Sequence, residues 1–218
     1  HHIFLTLVSA ELPLPEDTLR RSFLDLKLTV HYRLASTKRM VQSFPITRLL
    51  AEKHWHIPEK EIFRTARQNT ETFFPPSLFD MGDFLLCRYA SAIHGDKELK
   101  AGEMIHGNGF LPPSLYILTN QQMVNGAVTI CHKGLLVGLY RRFGKPFYVI
   151  PTSVHETLLY PEPENDSTKE IFSPNKIKQL LHRVNRSQVP EKERLSDSLY
   201  YYDGNKLILH EAGGDDNE

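Results

Sequence analysis

From residue 24 to residue 34 the chain alternates. Leu24, Leu26, Leu28, Val30, Tyr32 and Leu34 are apolar, and Asp25, Lys27, Thr29, His31 and Arg33 between them are polar. A period of two sustained this long describes a β-strand with one face in a core and the other toward water. Such a strand needs partners at its edges and an apolar layer against its buried face, so it commits the chain to a sheet. Residues 4–8 (FLTLV) read as a second strand, and residues 40–46 as a hairpin partner of the alternating one.

The rest of the chain changes period. Residues 47–56 predict a helix with Leu49, Leu50 and Trp55 on its apolar side. Residues 59–74 predict a longer one, because Ile62, Ala66, Asn69 and Phe73 recur at i, i+4, i+7 and i+11. Pro58 suits its start and Pro75-Pro76 its end. Residues 77–92 carry Leu78, Phe79, Leu85, Leu86 and Tyr89 and are expected to form another helix. Residues 94–113, rich in Gly, His and charge, read as a long loop. Strands are expected at 115–119 and 127–131, turning at Asn125-Gly126. A helix follows over 132–143, closed by Gly144, and then a short apolar strand over 147–150. The acidic stretch 161–168 reads as a surface loop. Ser173-Pro174 opens a helix with Ile177, Leu180, Leu181 and Val184 facing inward. A hairpin pairs 199–202 with 207–209 through Asp203-Gly204.

The fold class expected is therefore α+β: a mixed, largely antiparallel sheet flanked by four to five helices around a single core. One domain is expected over residues 1–211, with the only subdomain boundary near 94–112 and a disordered acidic tail over 212–218. Lys and Arg balance Asp and Glu at 26 each, for a formal net charge of zero. That balance argues against a dedicated nucleic-acid binder, though not against a local basic patch. No apolar run is long enough to span a bilayer, so no membrane association is expected. The two cysteines, Cys87 and Cys131, are too few for a disulfide framework. Both lie in apolar stretches as buried thiols would, and a cytoplasmic protein is expected. The start, His1-His2 without a methionine and tag-like, reads as the beginning of a piece cut from a longer protein.

Several segments carry a resemblance: FLDLKLTVHYRL (23–34), ARQNTETFFP (66–75), LYILTNQQMVNGA (115–127), FYVIPTSVHETLLYP (147–161) and LSDSLYYYD (195–203). In order and spacing the chain resembles an uncharacterised bacterial family of unknown function. The resemblance implies further sequence ahead of Phe4 and most divergence over residues 88–111. It implies no activity. It does mark the pair Asn69-Thr70, the Leu-Thr-Asn turn at Asn120 and the stretch from Ser153 to Glu156.

Each marked residue has a structural and a functional reading. Ser153, His155 and Glu156 invite a hydrolase, but side chains this close in sequence diverge, whereas a triad needs a base oriented from another direction. The same residues match the S-x-x-E capping pattern, which suits a helix start or a strand end. Asn69 lies on an apolar stripe with Thr70 beside it, and a buried amide must find partners or cost about 1–3 kcal/mol. It either anchors neighbouring chain or belongs to a polar site. Asn120, at a strand end before Gln121-Gln122, reads as a turn residue that could also line a cleft. His54 and His56 flank Trp55 in a predicted helix end, and His155-Glu156 has no second histidine at zincin spacing, so no metal site is expected. Arg141, Arg142 and Lys145 suit a helix C-terminus. Lys176, Lys178, His182, Arg183 and Arg186 read as a solvated face or as a modest patch for an acidic partner or for weak nucleic-acid binding. No phosphate loop or dinucleotide motif occurs, and no cofactor is expected.

The reading that results is a non-enzymatic ligand- or protein-binding or regulatory module, part of a larger bacterial protein, with no catalytic residues. Its candidate ligand-binding residues are Asn69, Thr70, Asn120, Ser153, His155 and Glu156, and its partner a protein or small molecule. The rival is a hydrolase-like enzyme using His155 with Glu156 or with a distant carboxylate such as Asp25.

Overall fold

A computed structural model describes residues 2–36, 40–84, 115–164 and 173–210. The strands fall into two sheets, and every pairing within them is antiparallel. The first sheet is built on the alternating segment. β3 (Leu26–Ser36) pairs on one side with β1 (Ile3–Ser9), Leu5 opposite Val30. Its other side is shared by β2 (Arg20–Phe23) and β4 (Val41–Pro45). The second sheet runs β10-β9-β7-β8-β6-β5. Its members are β5 (Pro76–Asp80), β6 (Tyr116–Asn120), β7 (Phe147–Ile150), β8 (Thr157–Pro161), β9 (Tyr200–Tyr202) and β10 (Leu207–Leu209).

Among the described residues three complete α-helices accompany them: α1 (Glu59–Phe73), α2 (Leu135–Phe143) and α3 (Pro174–Gln188). The helical reading of 47–56 settles as a π-helical segment, Leu50–Trp55, ended by His56 in the left-handed region. Gly144 ends α2 at φ 69° and spares that turn a strained side chain. Ser173 caps α3, its hydroxyl accepting from the Lys176 amide at 3.4 Å. The chain is an α+β protein.

One apolar cluster draws on both sheets. Leu5, Leu7, Leu28 and Val30 of the first meet Leu118, Phe147, Val149 and Leu159 of the second, with Ile62 and Ala66 of α1 and Leu139 of α2 completing it. β7 is buried on both faces, which accounts for its unbroken FYVI run. Phe147 and Val149 enter the shared cluster, while Tyr148 and Ile150 pack with Ile177 of α3 on the far side.

Three expectations need correction. The alternating strand begins at Leu26, because Leu24, at φ 53°, and Asp25 turn the chain out of β2, a strand the sequence pattern did not separate. Residues 76–80 form strand β5, and residues 81–84 are helical. Proline 76 disfavours helix at the residue before it, and Leu78 and Phe79 sit on opposite sides of an edge strand as easily as on a helix face. Residues 127–131 are not a strand: Gly126–Cys131 is a 3-10 helix. Asn125 is left-handed as a hairpin turn would require, but it feeds that helix, and β6 pairs with β5 and β8 instead. The loop read over 94–113, the acidic tail, Cys87 and the 85–92 part of the expected helix lie outside the described residues.

Candidate functional site

Among the described residues β1 pairs with β3 alone, so its outer edge presents backbone groups with no ladder partner there. Side chains fill that role. Asn69 Nδ2 of α1 donates to Ile3 O at 2.8 Å, and Thr70 Oγ1 accepts from the Leu5 amide at 2.7 Å while donating to Ala66 O at 2.6 Å. Asn125 Nδ2 donates to Leu5 O at 3.1 Å, and its Oδ1 accepts from the Thr6 hydroxyl. Asn69 therefore takes the anchoring role, and what it anchors is β1.

From Asn125 the network continues into the second sheet. The Asn125 amide donates to His155 Nδ1 at 3.3 Å, and His155 O accepts from Thr119 Oγ1 at 2.7 Å. Gly126 lies so close to Thr119 and to the His155 carbonyl that a Cβ would collide with both. Ser153 Oγ accepts from the His155 amide at 3.1 Å and donates to Glu156 Oε1 at 3.2 Å. The capping-type pair thus forms, but it closes the turn that leads into β8, and no helix follows. Asn120, fully buried, closes the turn after β6: its Nδ2 donates to Val124 O at 2.6 Å and its Oδ1 accepts from the Gln122 amide at 2.9 Å.

Asn69, Thr70, Ser153, His155 and Glu156 thus lie along one polar seam between the sheets, from the edge of β1 to the turn ahead of β8, whereas Asn120 closes its own turn. Thr70, Asn120 and Ser153 are buried, and Asn69, His155 and Glu156 are half-buried. His155 Nε2 reaches the surface at 3.5 Å from Glu193 Oε2. With Nδ1 accepting from Asn125, the neutral ring carries its proton on Nε2, facing that carboxylate. Neither nitrogen is then left with a lone pair for a nucleophile, so the hydrolase reading is not favoured. The other proposed carboxylate, Asp25, has both oxygens occupied by Ser196 Oγ and Tyr200 Oη, each at 2.5 Å.

Sequence reasoning missed this second cluster. The segment from Ser196 to Tyr200 is a junction. It holds Asp25 in the β2–β3 turn, and Asn185 Nδ2 of α3 donates to Ser196 O at 3.1 Å and to Asp197 Oδ1 at 2.9 Å. His182 Nδ1 meets Asp197 Oδ2 at 2.8 Å. Burial pushes the Asp197 carboxyl up, but the hydrogen bonds from Asn185 and His182 and the charges of His182 and Arg186 outweigh it and hold the group below its ordinary range. Burial, then the bond to Asp25 and its charge, push Tyr200 far above the usual phenol value, so it stays a donor. Burial also pushes the Cys131 thiol up to about 12 and lowers His31 to about 4. Among the described residues no three His, Cys, Asp or Glu side chains group as metal ligands, and no helix is long and apolar enough to cross a membrane.

On the first sheet, rings gather around Tyr32. Phe44, its cross-strand neighbour, stacks on it at 5.5 Å, His2 at 5.5 Å, and Trp55 tilts against it at 6.1 Å. Phe44 is 38% exposed, and Leu34 and Met40 on the same hairpin are 64% and 50% exposed.

The chain matches the model of one protein family over residues 1–204, a family of unknown function designated DUF5688. Comparison with curated proteins and with solved structures finds no match.

Proposed function

The chain belongs to this family of unknown function (DUF5688), and from that premise we propose that it is a non-catalytic binding module acting in the cytoplasm. The observation that carries the reading is the ring cluster around Tyr32, flanked by exposed Leu34, Met40 and Phe44. Open apolar and aromatic side chains grouped at one end of a sheet are the features of a docking face for a protein segment with apolar anchors. The polar seam supports the non-catalytic half, because its donors and acceptors are spent on backbone that holds the sheets together. Of the candidate ligand-binding residues, His155 and Glu156 keep the exposure to meet a ligand, beside Glu193. Cysteine usage supports the compartment: two in the whole chain, with the described one, Cys131, free.

The test uses Trp55, the only tryptophan in the chain. Extended peptides with alternating apolar residues are titrated while its fluorescence is followed, and Phe44→Ser with Leu34→Ser is the comparison. Saturable quenching or enhancement that the double variant loses is expected. No response to any peptide, or one unchanged by the substitutions, refutes the docking face. Turnover of generic ester or phosphoester substrates that disappears in His155→Ala would overturn the non-catalytic reading.

A further inference from the structure

Among the described elements α3 is the most one-sided in charge. Over Pro174–Gln188 it carries Lys176, Lys178, His182, Arg183 and Arg186 and no acidic residue, in a chain whose net charge is zero. All five are exposed. At 3.6 residues per turn they fall, with Gln179, inside an arc of about 160°, and the stretch from Lys176 to Arg186 rises about 15 Å. Ile177 and Asn185 are buried on the other side.

Ordinary structural reasons for such a helix are met elsewhere or fail. Basic residues in a last turn often bond the free carbonyls, but here Arg194 does so: its Nε donates to Val189 O at 2.8 Å and its Nη2 to Arg186 O at 3.2 Å. A solvated helix face usually interleaves acids with bases at i, i+4, and this one sets like charges together, Arg183 beside Arg186, at a cost of a few tenths of a kcal/mol. Among the described residues neither Lys178 nor Arg183 closes an ion pair, and Arg186 lies near Asp197 without forming one.

The chemistry narrows the partner. An amphipathic basic helix settles on a membrane through a free apolar face, but Ile177 is already packed against the cluster of Tyr148, Ile150 and Tyr160. A protein interface needs apolar or aromatic anchors, and every exposed residue described on α3 is Lys, Arg, His, Gln or Ser. Those are the side chains that contact phosphate and sugar. We infer that the exposed arc of α3 docks on the phosphate backbone of nucleic acid, without regard to base sequence. The inference is independent of the docking face around Tyr32. Few phosphates are engaged, which is compatible with a neutral protein and with weak, salt-sensitive binding.

The test is fluorescence anisotropy of the full chain with a short labelled DNA duplex and, separately, an RNA strand of mixed sequence, at rising salt. Three neutralised phosphates predict a slope of log affinity against log salt near about −3 on the duplex. Lys178→Gln, Arg183→Gln and Arg186→Gln are each expected to reduce that slope by about 1. The charge-keeping variants Lys178→Arg and Arg183→Lys are expected to leave it unchanged, and circular dichroism melts confirm that each variant is folded. Binding to either nucleic acid with these losses supports the inference, and the stronger of the two identifies the form. Absence of binding in low salt, a flat salt response, or losses no larger than those of Lys60→Gln on α1 would overturn it. So would equal binding to an acidic peptide or to phosphatidylserine vesicles.

Discussion

Tyr200→Phe removes one oxygen from a fully buried ring and leaves the packing intact. The lost group is the donor to Asp25 Oδ1 at 2.5 Å, a contact between residues 175 positions apart that ties the β2–β3 turn of the first sheet to β9 of the second. A hydrogen bond to a charged acceptor contributes about 1.5–3 kcal/mol. Asp25 is only half-buried and still has Ser196 Oγ on its other oxygen, so the lower half of that range applies. For a chain of this size each kcal/mol moves the melting temperature by about 2–4 °C, which gives an expected fall of roughly 3–9 °C. Thermal and urea melts of wild type, Tyr200→Phe, Asp25→Asn and the double variant form a cycle that isolates the pair. A coupling energy near about 1–2 kcal/mol is expected. If Tyr200→Phe costs less than about 0.5 kcal/mol, or the two substitutions add without coupling, this contact does not hold the sheets together and the reasoning fails.

Three further outcomes are expected. Gly126→Ala forces a methyl into Thr119 and the His155 carbonyl and is expected to lower the urea-derived stability by roughly 1–3 kcal/mol, whereas Gly138→Ala, with open space around it, is expected to be neutral or stabilising. Thr70→Val keeps the shape but strips the acceptor from the Leu5 amide; a loss of about 1–3 kcal/mol in the same assay is expected, with raised hydrogen exchange at Leu5. His31, held near a pKa of about 4 by burial, resists the proton that the unfolded chain takes up below about 6.5. Its contribution is therefore complete above about pH 6.5 and is lost as pH falls toward about 4, up to roughly 3 kcal/mol. His31→Leu is expected to flatten that part of the stability–pH curve between neutral pH and pH 5, and an unchanged slope would count against it.

What could be read from the sequence was what local period and punctuation dictate. The alternation through β3, the stripe of α1, Gly144 closing α2, Ser173-Pro174 opening α3 and Asp203-Gly204 turning β9 into β10 are all written in neighbouring residues. The errors arose where tertiary pairing overrides local preference. Ala127, Val128 and Ile130 favour a strand, but the approach of Gly126 to Thr119 and His155 turns the backbone into a 3-10 helix. Asn69, Thr70 and the Ser153–Glu156 stretch were visible as polar interruptions. Their shared role was not, because it depends on Asn125, which looked like half of a hairpin turn. Glu193, Asp25 with Tyr200, and His182 with Asp197 are partners across long stretches of chain, and no spacing rule connects them.

β1, with the sequence IFLTLVS, is uncharged, proline-free and rich in β-branched and aromatic residues, the composition that zips into cross-β fibrils when a neighbouring molecule can reach it. In this protein Asn69, Thr70 and Asn125 occupy the positions an invading strand would need. Losing any of them would do more than loosen a helix: it would unlock a template. Variants at these positions should therefore be the ones that turn cloudy on storage, well below the temperature at which they unfold.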